Sequence, residues 1–156
     1  MPLFKTVLYS TDFSPLAETA LEYVKKLKEA GAKKVIVTHV VTSLSIELPE
    51  GTDLMNSEIL SNVLPKADQL YVTSIIEKLD RIKKNLEFNE LEVEIALRYG
   101  TPGDEIVNVA KEKGASVIVM GAHGKGLLTE ILLGSVSVDV MRKAECPVLI
   151  IKKREE

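Results

Sequence analysis

The sequence predicts a doubly wound α/β domain, a parallel sheet with helices on both faces. Three observations predict it. Four short runs are apolar at nearly every position: TVLY at residues 6–9, VIVTHVV at 35–41, VIVM at 117–120 and VLII at 148–151. Strands buried on both faces of a parallel sheet read this way. Segments of helical period, with their own start and stop signals, lie between the runs, so strand and helix alternate along the chain. At 156 residues, 46% of them hydrophobic, the chain is about the length of one domain with one substantial core.

The elements follow in order. After the first run, Ser14 offers an N-cap and Pro15 a first helical position; Ala17, Ala20, Leu21, Val24 and Leu27 form one stripe, and Gly31 can end the helix. Residues 42–64 fit least well, because so long a structureless connection is uncommon in a compact domain. Met55, Ile59 and Val63 recur every four residues, which suggests a short amphipathic helix after Asp53; a mobile lid and a packed surface helix both remain open. A longer helix is expected over about residues 66–87, marked by Val72, Ile75, Ile76, Leu79, Ile82 and Leu86.

The fifth strand differs from the other four. Leu91, Val93, Ile95 and Leu97 alternate with Glu92, Glu94, Ala96 and Arg98, the pattern of a strand with one face toward solvent at a sheet edge. Thr101-Pro102-Gly103-Asp104 repeats the helix-start signal, with Asp104 three residues after the cap, and Gly114 closes that helix. The last helix should cover about residues 135–144, since Pro147 forces Cys146 toward extended geometry.

Composition narrows the function classes. The formal charge of −3 gives no global field for nucleic acid or an anionic membrane, and no window approaches the roughly 18 apolar residues of a spanning helix. One cysteine, Cys146, excludes an internal disulfide framework and a cysteine metal cluster. A reduced, cytoplasmic protein is expected. In an open α/β sheet, ligands bind beyond the carboxyl ends of strands where connections diverge. Two segments occupy such ends: Ser10-Thr11-Asp12-Phe13-Ser14 and the glycine-rich GAHGKGLLTEILLGS at residues 121–135. Gly121 and Gly124 could bring backbone close to a ligand and take positive φ, while Gly134-Ser135 would aim helix N–H groups at the same point. That arrangement suits an anion. It is neither of two common nucleotide motifs. GxxxxGK[ST] fails because Gly126 follows Gly124-Lys125 and Val119 stands where the first glycine belongs; GxGxxG fails at Thr129.

The pattern present is Gly-x2-Gly-x9-Gly-Ser, at Gly121, Gly124, Gly134 and Ser135. Together with YSTDFSP after the first strand, VIVTHV, GTPGDEIV and ILLGSVSVDVMRKAECPVLIIKK, it resembles the universal stress protein family, specifically its ATP-binding branch, over residues 1–156. The resemblance implies a five-stranded sheet in the order 3-2-1-4-5 with a nucleotide between strands one and four. It places Thr11, Asp12 and Val40 on the adenine side, with Ser10 where the family often has proline. It places Met120 and Gly121 against the ribose, and Gly124, Gly134, Ser135, Val136 and Ser137 around the phosphates, with hydroxyl donors from Ser135 and Ser137. A divalent ion, Mg2+ or Mn2+, would be held mainly through phosphate oxygens. The resemblance also implies a homodimer through the last strand, from Val148 to about Lys152, because an apolar edge strand needs cover.

Each residue also has an ordinary structural role open to it. Asp12 can cap a turn, His39 can be a hydrogen-bonded core histidine, and His123 in the glycine loop can either touch phosphate or merely be exposed. Lys125 can be solvated, and Leu127, Leu128, Ile131, Leu132 and Leu133 read as packing residues. No Ser-His-Asp constellation or paired carboxylates stand near the glycines, so a dedicated enzyme is not expected. Against a nucleotidyl transferase, no HxGH follows the first strand; against a pyrophosphatase, STDFS lacks the SGGxDS glycines. An ATP-binding switch acting on a downstream protein is the leading expectation, with a slow ATP hydrolase or a nucleotide-free structural dimer as alternatives.

Overall fold

The computed structural model describes residues 3–123 and 133–153. Five parallel strands, β1 (Thr6–Ser10), β2 (Lys34–Val41), β3 (Glu92–Tyr99), β4 (Val117–Gly121) and β5 (Val148–Ile151), form one sheet in the order β3-β2-β1-β4-β5. Val7 lies beside Val35 and Val117, and Val119 beside Leu149, so the apolar runs are in register across the sheet. Successive side chains in a strand face opposite ways. Val7, Tyr9, Val35, Val37, Val117 and Val119 therefore pack under α1 (Pro15–Lys26) and α2 (Lys66–Phe88). Leu8, Ile36, Ile118 and Met120 pack under α3 (Pro102–Lys113) and α4 (Ser135–Lys143). The near-continuous apolar runs exist because both faces are covered. No helix among the described residues is long and apolar enough to cross a membrane.

Most helix ends follow the expected chemistry. Ser14 Oγ accepts the Ala17 N–H at 3.2 Å with Pro15 at the first position. A 3-10 turn (Leu27–Ala30) then tightens the exit to Gly31, which has φ 100°, and α3 ends at Gly114 with φ 65°. The start of α3 departs from expectation. Thr101 makes no side-chain cap, and Asp104 instead pairs with Lys143 at 2.6 Å. The Thr101 N–H goes to Glu50 Oε1 at 2.7 Å, so a carboxylate from a distant segment does the capping, placing negative charge at the positive end of the helix dipole.

That carboxylate belongs to residues 42–64, which form a packed strap. Its start is tied by Asp68, a 7%-exposed residue of α2 that accepts from the Ser45 N–H and hydroxyl. Its middle runs antiparallel along β3: Gly51 N–H donates to Tyr99 O (2.8 Å), Tyr99 N–H to Thr52 O (3.0 Å) and Leu54 N–H to Leu97 O (2.9 Å). The open edge expected of β3 is thereby partly paired. The strap's one helical turn, Ile59–Val63, is a π turn closed by Leu64 N–H to Ile59 O. Because π geometry sets neighbours five residues apart, the four-residue stripe does not face inward as a whole: only Ile59 packs against the core. Met55 and Val63 are exposed, and Leu54 and Leu64 are the buried anchors. The polar residues of β3 are only partly solvated as well: Glu94 pairs with Lys113 and Lys34, and Arg98 with Glu112 on α3.

Candidate functional site

The connections from β1 and β4, neighbours at the centre of the sheet, leave for opposite faces, which opens a crevice above their carboxyl ends. A cavity of about 540 Å³ lies there, within the usual range of small-molecule sites. Its floor comes from Ser10, Thr11 and Asp12 after β1, from His39, Val40, Val41 and Thr42 at the end of β2, and from Met120, Gly121 and His123 at the end of β4. The walls are Ser14 and Ala17 of the α1 start, Tyr71 of α2, Pro102 and Ile106 of α3, and Gly134 to Ser137 at the head of α4.

The β1 loop is built by short-range bonds. Tyr9, 1% exposed, donates its hydroxyl to Ala17 O at 2.5 Å, tying the last part of β1 to the first turn of α1; burial pushes its phenol up to about 12. Thr11 N–H donates to Thr38 O, continuing the ladder one residue past the strand, and Thr11 Oγ1 accepts the Phe13 N–H at 3.0 Å. Asp12 Oδ1 accepts the Ser14 N–H at 3.0 Å, the turn-capping role left open beside its expected place on the adenine side. Phe13 takes φ 64°, which is uncommon for a non-glycine residue, and its ring packs 4.8 Å from the ring of His39. His39 Nδ1 lies 2.7 Å from Thr11 O, so that nitrogen carries the proton and donates. His39 is thus a hydrogen-bonded residue of the floor.

The β4 side is shaped differently. Gly121 ends β4 in register with Ile151, so it is extended, not at positive φ as the sequence suggested. A β-carbon there would lie 3.2 Å from Leu16 Cγ, so absence of a side chain serves space, not handedness. Ala122 O accepts both the Gly134 N–H (2.8 Å) and the Ser137 hydroxyl (2.5 Å), clamping the head of α4 onto the end of β4. Ser137 is 1% exposed and its hydroxyl also reaches Gly134 O, so it faces the clamp, whereas Ser135 is exposed. Gly134 caps α4 without a side chain, leaving the first-turn N–H groups directed at the cavity by helix geometry. Both ring nitrogens of His123 are buried without a hydrogen-bond partner among the described residues.

The residues picked from sequence thus converge. Ser10, Thr11, Asp12, Val40, Met120, Gly121, His123, Gly134, Ser135, Val136 and Ser137 all line the one cavity, and Gly124 lies outside the described residues, as do Lys125, Leu127, Leu128, Ile131 and Leu132. Sequence reasoning missed Tyr71, Thr42, Pro102 and Ile106. Applying the strand-end rule to β3 would have found Pro102; nothing local marks Tyr71. Among the described residues, no cluster of three His, Cys, Asp or Glu side chains could hold a metal ion.

Comparison with known proteins places this geometry in a family. Residues 3–152 match the model of the universal stress protein family. Universal stress protein MJ0577 of Methanocaldococcus jannaschii is 34% identical, with 97% of each chain covered. The solved structure of MJ0577 superposes with a TM-score of 0.79 over 99% of both chains. Universal stress protein MJ0531 of the same organism is 35% identical over 97% of this chain and 84% of its own. A universal stress protein from Archaeoglobus fulgidus, solved in complex with dAMP, is 27% identical, with a TM-score of 0.62 and coverage of 97% and 100%. With a family model spanning nearly all of its length and relatives aligned end to end, the chain belongs to the universal stress protein family.

Proposed function

We propose that this protein binds ATP in the cavity over β1 and β4 and acts as a nucleotide-dependent switch in a stress or signalling response. The observation that carries the proposal is the convergence of the β1 loop, the end of β4 and the uncapped head of α4 on one cavity of nucleotide size. In this reading Thr11, Asp12 and Val40, with Ser10, receive the adenine; Met120 and Gly121 meet the ribose; Gly124, Gly134, Ser135, Val136, Ser137 and His123 surround the phosphates. Ser137 contributes its backbone N–H, because its hydroxyl is engaged by Ala122 O. Bound Mg2+ or Mn2+ would be held through phosphate oxygens. The dAMP complex of the Archaeoglobus fulgidus relative supports a nucleotide as the ligand class.

A switch is favoured over a dedicated enzyme by what the polar groups already do. Asp12 Oδ1 is engaged by the Ser14 N–H and His39 Nδ1 by Thr11 O, so neither is set beside the phosphate end as a general base. Homodimerisation through β5, from Val148 to Lys152, is part of the same proposal. β5 is an edge strand, and Val148, Leu149 and Ile150 are only half-buried in the isolated chain. The test is a calorimetric titration of nucleotide-stripped protein with Mg-ATP beside AMP and GTP. Micromolar or tighter binding with ATP preferred is expected; no heat with any nucleotide would leave the nucleotide-free structural dimer as the better account.

A further inference from the structure

Away from the cavity floor, two carboxyl groups meet at the head of α3. Glu105 is 2% exposed, and its carboxyl group lies against Gly51 and beside the Glu50 carboxyl of the strap, close enough for a hydrogen bond between the two. Glu50 Oε1 simultaneously accepts the Thr101 N–H at 2.7 Å. The backbone is shaped to permit this meeting. Gly51 has φ 85°, and a β-carbon on it would stand 3.2 Å from Glu105 Oε1; Gly100 has φ 146°, and a β-carbon there would stand 2.4 Å from Glu50 Oε1. Both glycines carry a conformation that other residues rarely adopt, at the one place where strap and helix head must approach.

Two carboxyl oxygens can hydrogen-bond to each other only if one proton lies between them. Burial favours the proton on Glu105. We infer that Glu50 and Glu105 form a one-proton latch that fastens the strap to the head of α3, and that losing this proton frees the strap and loosens the α3 wall of the cavity. The groups that face Glu105 are Glu50 from the strap, Asn108 from its own helix and Arg98 from β3. Arg98 works against the latch by favouring ionised Glu105, but its charge is shared with Glu112 and with the field of Asp53. Burial and the neighbouring Glu50 carboxyl both push the Glu105 carboxyl above the ordinary range, burial contributing more.

The coupling to the cavity runs through α3. Pro102 and Ile106, on either side of the latch in sequence, form its wall, and Thr42 at the start of the strap forms part of its floor. This half of the inference rests on the proposed nucleotide reading; the latch itself does not. Because the folded protein holds the Glu105 proton more tightly than the unfolded chain, the latch is complete below the ordinary carboxylate value. It is lost as pH rises through the raised one.

Amide hydrogen exchange across pH tests it. The amides of Gly51, Leu54 and Tyr99, which bind strap to β3, are expected to lose protection, corrected for intrinsic rates, by about tenfold or more as pH is raised from about 4, below the ordinary carboxylate value, to about 8. Core amides of β1 and β2 should keep theirs. Glu105→Gln keeps a donor toward Glu50 at all pH values and should remove the slope, as should Glu50→Gln, whose amide can donate to an ionised Glu105. A flat profile in the unaltered protein, or an equal slope in both folded variants, overturns the latch. ATP affinity measured over the same range should weaken in the unaltered protein and not in Glu105→Gln. If the exchange slope is present and no nucleotide binds at any pH, the latch stands and the nucleotide reading falls.

Discussion

Gly100→Ala puts a methyl group where Glu50 caps α3. At φ 146° an alanine is strained by about 1–3 kcal/mol before any contact is counted. The new β-carbon would lie 2.4 Å from Glu50 Oε1 and 2.6 Å from Cδ, so the carboxylate must leave its place. Moving it breaks the 2.7 Å bond from the Thr101 N–H, a charge-assisted bond worth about 1.5–3 kcal/mol at most; Glu50 is exposed and water can replace it, so about 1 kcal/mol is the better figure. The sum is about 3 kcal/mol, or about 6–12 °C in melting temperature for a chain of this size. Urea unfolding measures it. In a Glu50→Ala background the collision is gone and only backbone strain remains, so the double variant should cost about 1 kcal/mol less than the sum of the singles. A Gly100→Ala protein within about 0.5 kcal/mol of the original would refute the account of this turn, and strict additivity would separate Gly100 from Glu50.

Further expectations follow from the site and the sheet edge. Tyr9→Phe should cost about 1 kcal/mol by removing the bond to Ala17 O, and should abolish a phenol ionisation at about 12 seen by absorbance in alkaline titration. Because the folded protein raises that value from 10.0, the related stability is fully present below about pH 10 and is lost as pH rises through about 12; a phenol titrating at the ordinary value would contradict its burial. Ser137→Ala should lower stability by about 1 kcal/mol, since Ala122 O retains the Gly134 N–H, and a loss below about 0.3 kcal/mol would mean the clamp on α4 is carried by backbone alone. Ile150→Lys puts a charge on the edge strand and should shift a dimer to the monomer mass in light scattering; an unchanged mass would move the interface away from β5.

What the sequence by itself determined is whatever depends on neighbours along the chain. Short runs that are apolar at nearly every residue, bounded by turn signals, read as strands covered on both faces. Ser14-Pro15, Gly31 and Gly114 punctuate helices through local hydrogen bonds and backbone handedness. The strand-end rule and the spaced glycines then picked out residues that do line one cavity. Tertiary structure alone decided where partners came from elsewhere. Thr101 reads as a cap, yet its N–H is taken by Glu50, fifty-one residues away. Met55, Ile59 and Val63 read as a helical stripe, but only Ile59 packs against the core, and a π turn and pairing with β3 bury Leu54 and Leu64 in place of the other two. Ser137 reads as a ligand hydroxyl, and the end of β4 claims it first. Tyr71 has no local signal, because its place on the cavity wall is set by how α2 lies across the sheet. Periodicity and turn chemistry act over a few residues, whereas the satisfaction of buried polar groups is settled by whichever partner the fold brings close.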